Sequence, residues 1–256
     1  MKRLYGLVGY PLGHSFSRAF FQEKFEREGI DASYENFEMA SLDGLRQLIA
    51  EREELCGLNV TIPYKTEVIA LLDELDDQAR EIGAVNVIQI TRRPGGQVWL
   101  KGYNSDIIGF TRSIAPLIDD DMRQALILGT GGASKAVYAG LKSLHIDATF
   151  VSRKRRGDII AYDDLTPHLM ASHRIVVNTT PLGMYPHTDE CPRIPYEALT
   201  PGHLCYDLIY NPEVTRFLDL SARQGCTTKN GTEMLHLQAL AAWDIWNESP
   251  TSLPAL

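Results

Sequence analysis

One stretch constrains the fold of this chain more than any other: residues 125–156, ALILGTGGASKAVYAGLKSLHIDATFVSRKRR. An apolar run at 125–128 passes straight into Gly129, Gly131 and Gly132. Helical spacing then puts Ala136, Val137, Gly140, Leu141 and Leu144 on one face, and a second strand pattern follows at 147–152. Strand, glycine turn, helix and strand in this order make a βαβ unit, whose helix N-terminus is a ready seat for an anion. A lone G-x-G is weak evidence. Here the glycines sit in the strand-to-helix turn that a pyrophosphate requires, which favours a dinucleotide over a purely structural turn. Ser134 stands where a third small residue lets helix and strand approach closely.

The second strand runs into Ser152, Arg153, Lys154, Arg155 and Arg156, in a chain of 33 acidic and 25 basic side chains. An NAD-binding unit ends this strand on a carboxylate that holds the ribose hydroxyls. Cations at the same point fit the additional 2′-phosphate of NADP, which Arg grips bidentately. NADP is therefore the expected cofactor. Arg155 and Arg156 are equally well read as a solvated loop.

Apolar strand patterns recur near 4–9, 33–38, 56–61, 85–90, 98–102, 124–128, 147–152, 174–178 and 203–207, with helical patterns between most of them. Such alternation predicts an α/β architecture with mostly parallel sheets. A helix over 17–28 is expected to open on Ser17 as N-cap, bury Phe21 and Phe25, and stop at Gly29. RRPGGQVW, residues 92–99, predicts a hairpin.

A length of 256 residues allows one large domain or two modest ones. Net charge near −8 argues against a nucleic-acid binder. No apolar run approaches the roughly 18 residues of a membrane span. The opening MKRLYGLVGYPLGHS is broken by Pro11 and Gly13, so it reads as a first strand and not a signal peptide. Cys56, Cys191, Cys205 and Cys226 form no C-x-x-C pair, which points to free thiols in the cytoplasm and to no metal site.

Four further stretches are polar where polarity is expensive. GYPLGHSFS brings Ser15 and Ser17 to a helix N-terminus, a seat for a carboxylate; ordinary capping by Ser17 is the plainer alternative. His14, just before them, reads as a residue that orients the turn. GLNVTIPYK carries Thr61 and Lys65, GAVNVI sets Asn86 in an apolar run, and GYNSDIIGF opens a helix with Asp106. Cys56 and the three tryptophans read as core.

Taken in order, these stretches resemble the shikimate dehydrogenase family. Its GxPxxHSxSP opening, NVTxPxK, GAVNT and GxNTDxxG patterns match here at 9–18, 59–65, 83–87 and 102–109. The resemblance continues through GTGGAS, NTTPLGMYP (178–186), YDLIYNPEVT (206–215) and NGTEMLHLQA (230–239). Arg18 departs from the family Pro, Val87 and Ser105 from Thr, and SRKRRG from the usual NRTxxRA clamp.

The resemblance implies a two-domain fold: residues 1–105 plus 232–256 for substrate, and a Rossmann-like NADP domain at 106–231, with the active site in the cleft between them. It implies Lys65 and Asp106 as the catalytic pair. Ser15 and Ser17 would hold the substrate carboxylate, with Thr61, Asn86, Tyr210 and Gln238 as further substrate contacts. Gly129, Thr130, Gly131, Gly132, Ala133, Ser152, Arg153, Lys154, Thr179, Leu208 and Gly231 would bind the cofactor. The implied reaction is 3-dehydroshikimate + NADPH + H⁺ ⇌ shikimate + NADP⁺, a step of chorismate and aromatic amino acid biosynthesis, in a monomer or homodimer. An NAD-preferring quinate/shikimate dehydrogenase and a non-catalytic NADPH sensor are the rival readings.

Overall fold

The computed structural model describes residues 2–13 and 16–247, which form two units. One contains the described residues up to Ser105 together with those from Ala239 onward; the other runs from Asp106 to Gln238.

The first unit is built on a six-stranded sheet. Its strands are β1 (Arg3–Gly9), β2 (Ala32–Glu38), β3 (Leu55–Val60), β4 (Glu74–Leu75), β5 (Val87–Arg92) and β6 (Val98–Tyr103), in the order β2-β1-β3-β5-β6-β4. β1 pairs in parallel with β2 and β3, and β4 with β6, while β5 is antiparallel to both its neighbours. The sheet is covered on both faces, so its central strands β1, β3 and β5 are buried along most of their length instead of on alternate residues. Leu4, Val8, Leu58 and Ile88 face a core closed by Leu45 and Ile49 of α2 (Leu45–Glu51). Tyr5, Leu7 and Tyr34 face the other, closed by Phe21 and Phe25 of α1 (Phe16–Glu28).

Two local expectations are corrected here. Helix α1 begins at Phe16, so Ser17 lies inside its first turn and is not the N-cap. Trp99 is half-buried at the sheet edge beneath the Arg93 guanidinium, 3.9 Å from the ring centroid, and not in the core. The hairpin is present as β5–β6, its turn closed by Arg93 and Gln97. Helix α3 (Asp77–Ile82) follows β4 and is N-capped by Asp76.

The second unit begins with α4 (Ser105–Ile114, from its second residue) and carries a sheet of β7 (Gln124–Leu128), β8 (Asp147–Ser152), β9 (Ile160–Ala161), β10 (Ile175–Asn178), β11 (Leu204–Asp207) and β12 (Thr227–Lys229). The order is β12-β11-β10-β7-β8-β9 and every pairing is parallel. Helix α5 (Gly132–Ser143) follows β7 as the βαβ spacing predicts. Phe110 and Ile114 of α4 and Val137 and Leu141 of α5 pack on one face; Met170 of α6 (Pro167–Ser172) and Phe217 of α7 (Arg216–Arg223) pack on the other. The edge strands β4, β9 and β12 are only two or three residues long, too short for periodicity to reveal them.

The last helix, α8 (Thr232–Asn247), belongs to both units. Its first turns pack on α4, where Gly109 lies so close that an added Cβ would stand 2.6 Å from the Met234 carbonyl oxygen. Its last turns join the first sheet: the Trp246 indole donates to the Ile88 carbonyl at 3.1 Å, and the Gln89 amide donates to the Ile245 carbonyl at 2.6 Å. The division between the units falls within the helix, after Gln238.

Candidate functional site

In the first unit, parallel pairing brings the C-terminal ends of β1 and β3 side by side, and the candidate residues gather there. Thr61 follows β3, its amide bound to the Val8 carbonyl at 2.9 Å. Lys65 lies one turn further on and is half-buried. Its carbonyl accepts the Val85 amide at 2.7 Å, which ties the Lys65 turn to the segment holding Asn86.

Asn86 was expected within a strand. It lies just before β5, 3% exposed, and its side chain bonds the start of α4. Its Oδ1 accepts the Ser105 amide at 2.7 Å, and its Nδ2 donates to the Ser105 Oγ at 3.1 Å. Asp106, 6% exposed, is the second residue of that helix, where the helix dipole favours a carboxylate.

A buried polar chain runs beside these residues. The Tyr34 hydroxyl donates to Asn59 Oδ1 at 2.8 Å, and Asn59 Nδ2 donates to the Asn86 carbonyl at 3.3 Å. Burial pushes the Tyr34 phenol well above its ordinary range, while a hydrogen bond with Ser17 acts in the opposite direction. Tyr34 was not among the residues singled out from sequence. An aromatic in a strand reads as core, and only the fold places its hydroxyl beside Ser17. Ser15 and His14 lie outside the described residues.

In the second unit, the turn from β7 into α5 has the form a phosphate needs. Gly129 adopts φ +108°, with no room for a Cβ beside the Thr179 Oγ1 at 2.8 Å. Above Gly131 and Gly132 no atom lies within 4 Å of an added Cβ, and Gly131 caps α5 without a side-chain bond. Thr130 is exposed and Ala133 half-buried on this turn. Ser134 is fully buried, its hydroxyl turned back to the Gly131 carbonyl at 2.6 Å. The open backbone cradle at a helix N-terminus fits a pyrophosphate.

Ser152 ends β8, and Arg153 and Lys154 follow it as exposed cations. Arg155 is engaged elsewhere: its Nε lies 3.2 Å from Asp164 Oδ2. Of the four cations after the second strand, Arg155 is thus committed to a carboxylate, while Arg153, Lys154 and Arg156 stand exposed.

Thr179 continues β10 by bonding the Leu128 carbonyl through both its amide and its hydroxyl. Leu208 follows β11, its amide on the Asn178 carbonyl at 3.0 Å, and Tyr210 beyond it is exposed. Gly231 is pressed against the Leu208 carbonyl, 2.0 Å from where a Cβ would stand. Gln238, half-buried on α8, sits against Gly109, three residues after Asp106. Among the described residues no cluster of three or more His, Cys, Asp or Glu could hold a metal, and no helix is long and apolar enough to cross a membrane.

An all-parallel sheet with a glycine turn opening onto a helix, joined to a smaller mixed α/β unit, defines a dinucleotide-binding protein of the two-domain, Rossmann-like class. The shikimate dehydrogenase substrate binding domain model matches residues 7–88. The shikimate dehydrogenase (NADP(+)) of Crocosphaera subtropica is 35% identical, over 98% of this chain and 92% of its own. Among solved structures, a chorismate mutase/shikimate 5-dehydrogenase fusion protein from Clostridium acetobutylicum superposes with TM-score 0.86 at 35% identity, covering 96% of this chain and 92% of that one. The shikimate 5-dehydrogenase of Thermus thermophilus, solved with NADP(H) and shikimate, reaches TM-score 0.82 at 28% identity over 96% and 93%. The chain belongs to the shikimate dehydrogenase family.

Proposed function

We propose that this chain interconverts 3-dehydroshikimate and shikimate with NADP(H). Family membership over nearly the whole chain supports the reading, as do relatives named for NADP(+). The observation that carries it is the gathering of Thr61, Lys65, Asn86 and Ser17 at one end of the first sheet, in a chain whose second sheet bears a phosphate cradle followed by Arg153 and Lys154.

Ser15 and Ser17 take the substrate carboxylate, Ser17 from the first turn of α1, where the helix dipole favours an anion. Thr61, Asn86, Tyr210 and Gln238 receive the ring hydroxyls. The backbone of Gly129, Thr130, Gly131, Gly132 and Ala133 holds the pyrophosphate, Ser152, Arg153 and Lys154 the 2′-phosphate, and Thr179, Leu208 and Gly231 the nicotinamide end. Bound NADPH supplies the hydride. Lys65 stabilises the negative charge that develops on the substrate oxygen and exchanges a proton with it, sharing that task with Asp106. A reducing cytosol is the setting that four free cysteines support.

The test is absorbance at the reduced-nicotinamide band with shikimate or quinate, crossed against NADP⁺ or NAD⁺. Reduction with shikimate and NADP⁺ is expected. Steady absorbance in all four mixtures would favour the sensor, and preference for NAD⁺ would overturn the role of Arg153 and Lys154. Lys65→Ala should lower turnover by orders of magnitude while shikimate binding changes little.

A further inference from the structure

Asp207 is a carboxylate with no exposed surface, at the C-terminal end of β11, and nothing in the proposed chemistry uses it. Three donors converge on it. Oδ1 accepts from Asn178 Nδ2 at 3.0 Å and from the Ile209 amide at 3.0 Å; Oδ2 accepts from the Thr215 hydroxyl at 2.6 Å. Asn178 is its register partner on β10, and that amide is fixed in turn, because its Oδ1 accepts both the amide and the hydroxyl of Thr180. Thr215 also caps α7 by accepting the Leu218 amide.

One carboxylate therefore ties together the two loops that leave β10 and β11. The first begins with Thr179; the second contains Leu208 and Tyr210. Gly231 joins the same assembly through its amide, which bonds the Ile209 carbonyl at 3.0 Å. A carboxylate suits this point because all three partners donate. An amide of the same shape would turn an N–H against one of them and leave a buried donor unmet.

The charge is kept at some expense to the fold. Burial raises the Asp207 carboxyl to about 6, and the donors from Thr215, Ile209 and Asn178 only partly offset this. Packing alone would be served as well by apolar side chains of similar volume. What an apolar pair would not supply is direction: three hydrogen bonds at fixed angles set the course of both loops.

We propose that Asp207 is a positioning residue for cofactor binding, holding the loops after β10 and β11 in the arrangement that receives the dinucleotide. This rests on the assignment of Thr179, Leu208 and Gly231 to the cofactor. The experiment measures NADP⁺ dissociation constants by calorimetry, well below the melting temperature of each variant, for wild type, Arg153→Ala, Asp207→Asn, Thr215→Val and Thr215→Ser. Hydrogen exchange of residues 179–182 and 208–215 is followed in the ligand-free protein. Asp207→Asn should weaken NADP⁺ about tenfold and Thr215→Val severalfold, with faster exchange confined to those loops, while Thr215→Ser should stay within about twofold of wild type. Unchanged affinity in Asp207→Asn and Thr215→Val, with wild type binding and Arg153→Ala impaired, would overturn the proposal and leave the cofactor assignment standing. Lowered melting temperatures without a change in affinity would assign Asp207 to stability alone. Failure of wild type to bind NADP⁺ would instead remove the cofactor assignment itself. Should Asp207→Asn not fold, the contrast between Thr215→Val and Thr215→Ser carries the test.

Discussion

The side chain of Asn86 caps a helix from which it is remote in sequence: its Oδ1 accepts the Ser105 amide at 2.7 Å, one residue before Asp106. The backbone of Asn86 is itself held on both sides, its amide on the Tyr103 carbonyl and its carbonyl on the Val60 amide. The amide at the start of α4 is thus held by a residue that the first sheet fixes on both sides.

Asn86→Ala should consequently impair two properties together. The Ser105 amide, fully buried, would lose its acceptor, a loss of about 1–3 kcal/mol. Thermal unfolding should fall by about 3–10 °C, and turnover should fall with it as α4 loses its anchor. An unchanged melting temperature with reduced turnover would show that Asn86 acts on substrate alone.

Two glycines should respond in opposite ways. Gly109→Ala would place a methyl 2.6 Å from the Met234 carbonyl oxygen, between α4 and α8. Overpacking of that kind destabilises by about 1–3 kcal/mol. Gly131→Ala meets open space and should unfold like wild type, yet bind NADP⁺ more weakly because its methyl occupies the phosphate cradle. Parallel melting and binding curves decide it, and equal NADP⁺ affinity in wild type and Gly131→Ala would displace the cradle from this turn.

Among the cations after β8, Arg153→Ala should raise the KM for NADP⁺ roughly 10- to 100-fold, the equivalent of a lost charge-assisted hydrogen bond. Arg155, already paired with Asp164 at 3.2 Å, should matter much less, within about threefold. Steady-state kinetics with NADP⁺ and NAD⁺ separates the two; a larger effect at Arg155 would reassign the grip.

Asp207 should leave a signature in stability as well. Its carboxyl is raised from 3.8 to about 6 in the folded protein, mainly by burial. Between those values the folded chain binds the proton more tightly than the unfolded chain does. The associated stability is fully present below about pH 4 and is lost as pH rises through about 6, a change of up to about 3 kcal/mol. Urea unfolding of wild type and Asp207→Asn should therefore show a difference that varies across this window. A difference independent of pH would mean that the folded and unfolded values coincide.

By itself the sequence determined the alternation of elements and the glycine turn, because burial on both faces writes a strand as an unbroken apolar run and a helix as a periodic one. Lys65 and Asp106 were singled out only through the resemblance of their motifs to the family, and Arg153 through its place at the end of the second strand of the βαβ unit. The edge strands at 74–75, 160–161 and 227–229 carried no periodicity to read, and Ser17 was misread as a cap because helix ends depend on local bonds and not on pattern. Only the tertiary structure decided that Asn86 would cap α4, that Arg155 would be taken by Asp164, and that Tyr34, Asn59 and Asp207 would join buried polar networks. Each of these is a hydrogen bond or ion pair between residues brought together by strand pairing or chain reversal. Such bonds are set by distance in space, which composition and spacing along the chain do not encode.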